Sequence, residues 1–138
     1  MNAPLYTLEV LRLASALPEP KALERVDGSA ELRSPTCGSM VRTEVQLKDG
    51  RIEALSQQVQ ACAFGQASAA LVANHAAGRD SDDISHALEH LTAWLGGEGG
   101  EPDWPDIANL APARSRTSRH GAILLPFRTL LAAIEAAG

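Results

Sequence analysis

Aromatic side chains are scarce in this 138-residue chain: two Trp, two Phe and one Tyr make up 4% of it. A core built from this composition must rest on aliphatic and small side chains, with helices packed closely. Cysteine is scarce as well, with only Cys37 and Cys62. The chain is long enough to bury a core without disulfide staples. Positive charge is in deficit, because 12 Lys and Arg face 17 Asp and Glu for a net charge of −5. No basic stripe marks a nucleic-acid partner. The arginines between Arg114 and Arg119 read as a solvated loop. Long hydrophobic runs are missing, so no membrane partner is expected. The apolar N-terminal segment is interrupted by Glu9 and Arg12, and no basic region follows Met1, so no secretory signal is read. Two cysteines without an export signal are expected to stay reduced, which makes the cytoplasm the expected location. Length predicts a single domain over residues 1–138.

The clearest element is a β-hairpin. Asp49-Gly50 is a strong two-residue turn signal. Before it, Val41, Thr43, Val45 and Leu47 alternate with Arg42, Glu44, Gln46 and Lys48, the pattern of a half-buried antiparallel strand. The return strand runs from Arg51 to about Ala61. Its apolar residues change parity between Ala54 and Leu55, which predicts a β-bulge near Leu55-Ser56. Residues 21–34 are a weaker strand, with Ala30 and Leu32 alternating against Glu31 and Arg33. A short amphipathic helix over residues 5–16 carries Leu5, Leu8, Leu11 and Leu13. A small-residue helix spans 65–77 and closes at Gly78. Ser81-Asp82-Asp83 caps a further helix to about Leu95. Residues 96–106 form a Gly/Pro loop. A last helix covers about 122–136, with Ile123, Leu124, Phe127, Leu130, Leu131 and Ile134 inward and Pro126 in its first turn.

The hairpin sets the chemistry. Partners across an Asp49-Gly50 turn have residue numbers that total 99, and Cys37 and Cys62 meet that condition. The fold is therefore expected to bring two distant thiols together where the hairpin opens, to within the one position that a bulge would shift. Cys62 also precedes a helix, where unpaired N–H groups and the positive end of the dipole stabilise a thiolate. His120 lies just before the last helix and is placed on the same rim. Two thiolates and an imidazole suit zinc or iron and leave a fourth position open. The same spacing also fits two small buried core thiols or a disulfide, and a His at a helix start also fits a structural or solvated role.

One apparent motif points elsewhere. His86-Ala87-Leu88-Glu89-His90 matches the His-x-x-Glu-His pattern of some zinc peptidases. However, Ile84, Leu88, Leu91 and Leu95 define the buried stripe of that helix, so His86, Glu89 and His90 are expected in solvent. Trp94 and Trp104 read as core and loop-anchoring aromatics.

Residues 34–79 resemble the iron–sulfur cluster assembly scaffold family of the NifU N-terminal domain, IscU and SufU. The resemblance rests on Thr36-Cys37-Gly38 leading into a strand and on Asp49-Gly50-Arg51-Ile52. It continues through Ala61-Cys62-Ala63 into Gln66-Ala67-Ser68-Ala69-Ala70-Leu71-Val72. His120-Gly121-Ala122-Ile123-Leu124 is similar to the family's His-Cys pair at the start of its last helix. The resemblance implies an α+β fold, with a three-stranded antiparallel sheet and helices packed on one side. It implies a scaffold rather than an enzyme, one that takes sulfur from a cysteine desulfurase, builds a transient [2Fe–2S] cluster and passes it to acceptor apo-proteins, with zinc able to occupy the site. A chaperone partner is implied as well, although Leu110-Ala111-Pro112-Ala113-Arg114 is only faintly similar to the family's recognition sequence. Two family positions differ here: Ser39 stands where the family has Asp, and Gly121 where it has the third cysteine. An alternative alignment puts His120 in that cysteine's place. Carried over residue by residue, the implied metal site is Cys37, Cys62 and His120. A non-cluster protein that docks to the same partners, or a persulfide carrier, also fits these departures.

Overall fold

The computed structural model describes residues 6–35 and 38–137. Helix α1 (Leu8–Ser15) comes first, then strands β1 (Gly28–Arg33), β2 (Met40–Lys48) and β3 (Arg51–Gln60). Helices α2 (Ala63–His75) and α3 (Ser81–Leu95) follow, then two 3-10 segments (Ile107–Ser115 and Thr117–Arg119) and α4 (His120–Ala137). The strands form an antiparallel sheet in the order β1-β2-β3. Helices α2 and α4 pack on one face of that sheet, α1 lies against α2, and α3 lies against α4. This is the α+β arrangement that the resemblance implies.

The hairpin turns at Asp49 and Gly50, both with positive φ (54° and 77°). That backbone is the type I′ turn whose twist matches the strands it joins. Val41, Thr43 and Val45 are buried on the helix side, as their alternation predicts. Gln46, expected in solvent, is buried too. Residues 18–27 cross the outer face of the sheet as a strap, where Arg25 N–H reaches Gln46 Oε1 at 3.5 Å and Lys21 N–H donates to Ser56 Oγ at 2.9 Å. This strap occupies the first part of the predicted 21–34 strand, so β1 begins only at Gly28. A Cβ on Gly28 would lie 2.1 Å from the Ala133 carbonyl oxygen, so only glycine lets α4 approach β1 this closely.

The bulge lies nearer the turn than Leu55-Ser56. Register shifts between Gln46, which faces Ala54, and Leu47, which faces Ile52, leaving Glu53 as the extra residue. The cause lies on the free edge of β3. Ile52 N–H donates to the Arg79 carbonyl at 2.9 Å, and Gly78 N–H donates to the Ile52 carbonyl at 2.8 Å. That local attachment fixes Ile52 in the core, and Glu53 absorbs the phase change before Leu55.

Helix limits differ by small, explicable amounts. Helix α2 ends at His75 with Ala76 as C-cap, and Gly78, at φ 85°, lies two residues beyond the cap in the turn that bonds Ile52. The cap of α3 is Asp80 rather than Ser81. Asp80 Oδ1 accepts from Asp83 N–H at 2.9 Å, and Asp83 Oδ2 accepts from Asp80 N–H at 3.1 Å, a reciprocal capping box. The Asp83 N–H holds the Asp80 carboxyl below its ordinary value of 3.8, partly opposed by desolvation and aided by Arg51. Helix α4 starts two residues earlier than expected, which moves Pro126 from the first turn into the helix interior. Its missing N–H frees the Ala122 carbonyl. In the same turn, the buried Ser68 hydroxyl donates to the Ile123 carbonyl at 2.6 Å.

The core is aliphatic, as expected, with Phe64 and Phe127 as its largest fully buried side chains. Trp104 lies edge-on to Phe127 with centroids 5.0 Å apart, and its Nε1–H donates to the Leu71 carbonyl at 3.0 Å. Trp94 is buried, and the Arg114 guanidinium lies 5.0 Å from its ring. Arg114 therefore anchors its segment, correcting the reading of this run as wholly solvated. In α1 only Val10 is fully buried, whereas Leu8 and Leu11 are exposed; Leu5 lies outside the described residues. Thr117–Ala137 is long and apolar enough to cross a bilayer, contrary to the expectation from sequence. Its apolarity serves the core, since 56% of its most apolar window is buried.

Candidate functional site

Cys62 is the N-cap residue of α2, with extended backbone and φ −66°. It makes no side-chain capping hydrogen bond, it is a free thiol, and it is half-buried at the edge of the core. Its carbonyl accepts from Gln66 N–H at 2.9 Å, and the Gln66 side chain donates to the Ala61 carbonyl at 2.9 Å. Both bonds fix the backbone that presents the thiol. A Ser, Thr, Asp or Asn here would bond the first-turn N–H groups. Cysteine instead leaves the sulfur uncommitted beside the positive end of the helix.

His120 is the first residue of α4. Its Nε2 lies 2.9 Å from the Ala113 carbonyl oxygen and 3.2 Å from that of Arg114. Carbonyls only accept, so Nε2 carries the proton and Nδ1 is left with the free lone pair. A metal-ligating His typically has its second nitrogen donated in this way to a carbonyl or carboxylate. The 3-10 segment Ile107–Ser115, which carries no periodic signal in the sequence, therefore orients the imidazole.

The small-residue run in α2 brings these two helix starts together. A Cβ on Gly65 would lie 3.3 Å from the Ala122 carbonyl oxygen and 3.4 Å from the Ala122 Cβ, and Ser68 bonds Ile123 one turn further on. The contacts advance together along α2 and α4, so the N-termini of both helices lie at the same end of the molecule. Cys62 is three residues before Gly65, and His120 two before Ala122.

The predicted first cysteine, Cys37, lies outside the described residues, as does Thr36. Its flanks are described. Ser34 N–H donates to the Ser39 carbonyl at 2.9 Å, and Gly38 N–H to the Ser34 carbonyl at 3.2 Å, in a tight turn with Gly38 at φ 71°. Met40 faces Gln60 across the ladder, so this turn sits beside the strand end that leads to Cys62. Beyond the Glu53 bulge, paired residue numbers total 100 rather than 99. The expected register is thus offset by one, within the position allowed for a bulge. Ser39 is buried and hydrogen-bonded through its carbonyl, and Gly121 is half-buried with no side chain to offer a ligand. Among the described residues, no three His, Cys, Asp or Glu side chains already form a metal cage.

No protein-family model and no curated protein sequence matches this chain. Solved structures do match. A nitrogen-fixing NifU-like protein (N-terminal) from Brucella abortus superposes with a TM-score of 0.90 at 27% identity, covering 96% of this chain and 94% of that one. This chain has the NifU/IscU/SufU-like fold. A protein from Fervidobacterium islandicum AW-1, described as an iron–sulfur cluster assembly scaffold for the SUF system, superposes at a TM-score of 0.84. It is 18% identical, with 94% and 96% of the two chains covered, and this likeness concerns the fold alone. Within a NifU-like frame, the convergence of α2 and α4 is the part of the site that the sequence did not reveal. Its signal was the run from Gly65 to Ala70, whose small side chains permit one helix start to lie against another.

Proposed function

We propose that this chain is an iron–sulfur cluster assembly scaffold-like protein, not an enzyme, that accepts sulfur and binds iron or zinc through Cys37, Cys62 and His120. The supporting observation is the meeting of two helix N-termini at Gly65 and Ala122, which puts Cys62 and His120 at one end of the molecule. Thiolates and a sulfide-bearing cluster are anionic, and the positive N-terminal end of α2 favours them. The imidazole offers Nδ1, since Nε2 is committed to Ala113 and Arg114. Cys37 supplies the second thiolate. The cluster, a transient [2Fe–2S] unit, is cargo, and zinc holds the site between loads. A cysteine desulfurase delivers sulfur, acceptor apo-proteins take the cluster, a chaperone assists, and the setting is the cytoplasm. Neither nucleic acid nor a membrane enters this reading.

The absence of a donor at Gly121 favours a second reading, in which Cys62 carries a persulfide onward and no cluster is built. Anaerobic reconstitution with ferric iron and sulfide, whose oxidation states already total those of a [2Fe–2S]2+ cluster, separates the two. The scaffold reading predicts visible charge-transfer absorption that is lost in Cys37→Ser, Cys62→Ser and His120→Ala. Sulfur added to one cysteine by a desulfurase, in a protein that stays colourless with iron, would favour relay instead.

A further inference from the structure

His86 and His90, set aside above as part of a solvated pattern, line one hollow of about 370 Å³ on the outer side of α3. Residues four apart on a helix lie on one face with Cβ atoms about 5–6 Å apart. Two imidazoles at that spacing can both reach one ion at about 2.0–2.1 Å. The rest of the hollow decides the sign of charge it favours. Its one fixed cation, Arg79, is already committed: the guanidinium lies 4.1 Å from the Trp104 ring centroid and Nε donates to the His75 carbonyl at 2.7 Å. Asp83 and Asp103 line the same hollow. Asp83 is held by the capping box and lies 3.8 Å from Arg51, so it contributes charge rather than a ligand. Glu89 opens onto a different hollow, beside Thr92 and Arg128. The carboxylate that a peptidase would need therefore lies outside this hollow.

We propose that His86 and His90 chelate a divalent transition-metal ion on the outer face of α3, with water completing its coordination. Nitrogen donors without thiolate suit copper, nickel or zinc rather than calcium or magnesium. The hollow adjoins Arg79, just past the C-terminal end of α2, whereas Cys62 lies at the opposite end, about 20 Å away along a helix rising about 1.5 Å per residue. The site is thus independent of Cys37, Cys62 and His120, and the two readings can fail separately.

The test is calorimetric titration of Cys37→Ser/Cys62→Ser protein with Ni²⁺ at neutral pH. One bound ion per chain is expected. His86→Gln and His90→Gln should each weaken it by at least the roughly tenfold that losing even an outer partner of a metal site costs. His120→Gln should leave it unchanged. Both histidines are exposed, so the variants keep the fold, and circular dichroism verifies this. No binding by the thiol-free protein, equal binding by the His86→Gln/His90→Gln double variant, or loss of binding on His120→Gln would each overturn the proposal.

Discussion

Thr43 and Gln57 face each other across β2 and β3 and point into the aliphatic layer beneath the helices. Gln57 Nε2–H donates to the Ala69 carbonyl at 2.9 Å, but Gln57 Oε1 and Thr43 Oγ1 have no partner. A buried hydroxyl without a hydrogen bond is a cost carried by the fold. Thr43→Val keeps the shape and removes the hydroxyl, and should raise stability by about 1 kcal/mol in urea unfolding. A loss of that size would mean that the hydroxyl is satisfied in solution. The alternation at Thr43 was legible in the sequence because a strand has a period of two. The burial of Gln46 was not, since the strap that covers it comes from residues some twenty positions away. The same limit applies to His120: its type and place at a helix start were readable, but its bonds to Ala113 and Arg114 were not, because 3-10 segments have no strong periodic signal.

Helices α2 and α4 depend on one another at their starts. Gly65 is the contact point: a Cβ there would lie 2.6 Å from the Ala61 Cβ and would press on Ala122 as well. Gly65→Ala should therefore destabilise the fold by about 1–3 kcal/mol, the usual cost of overpacking, despite the better helix propensity of alanine. Chemical denaturation measures this. A neutral or stabilising Gly65→Ala would mean that Ala61 and Ala122 do not crowd this position. Pro126 carries a related lesson. Prolines favour the first turn, and that preference placed this one there. Instead α4 starts early, at His120, and Ser68 supports the turn that the proline weakens. Helix propensity is local, and this compensation comes from another helix. The strand ladder shows the reverse case, in which the turn at Asp49-Gly50 set the register as far as Leu47 and Ile52, and the pairs beyond are offset by one at a bulge whose position was missed, because Gly78 and Arg79 act on β3 from outside the hairpin.

At the scale of the whole molecule, a sheet with helices on one face and a strap on the other leaves one end where a turn, a helix start and a second helix start meet. Residue types and their order pointed to that end before any geometry was known: a cysteine before a strand, a cysteine before a small-residue helix, and a histidine before the last helix. The convergence of the helix starts required the fold. The most direct measurement of the central claim is X-ray absorption at the zinc edge of protein loaded with one equivalent of zinc in the His86→Gln/His90→Gln background. The account predicts a first shell with two sulfur ligands at about 2.3 Å and at least one imidazole nitrogen at about 2.0–2.1 Å, with the nitrogen contribution reduced by His120→Ala. A shell of nitrogen and oxygen alone, or one unchanged by Cys62→Ser, would contradict it.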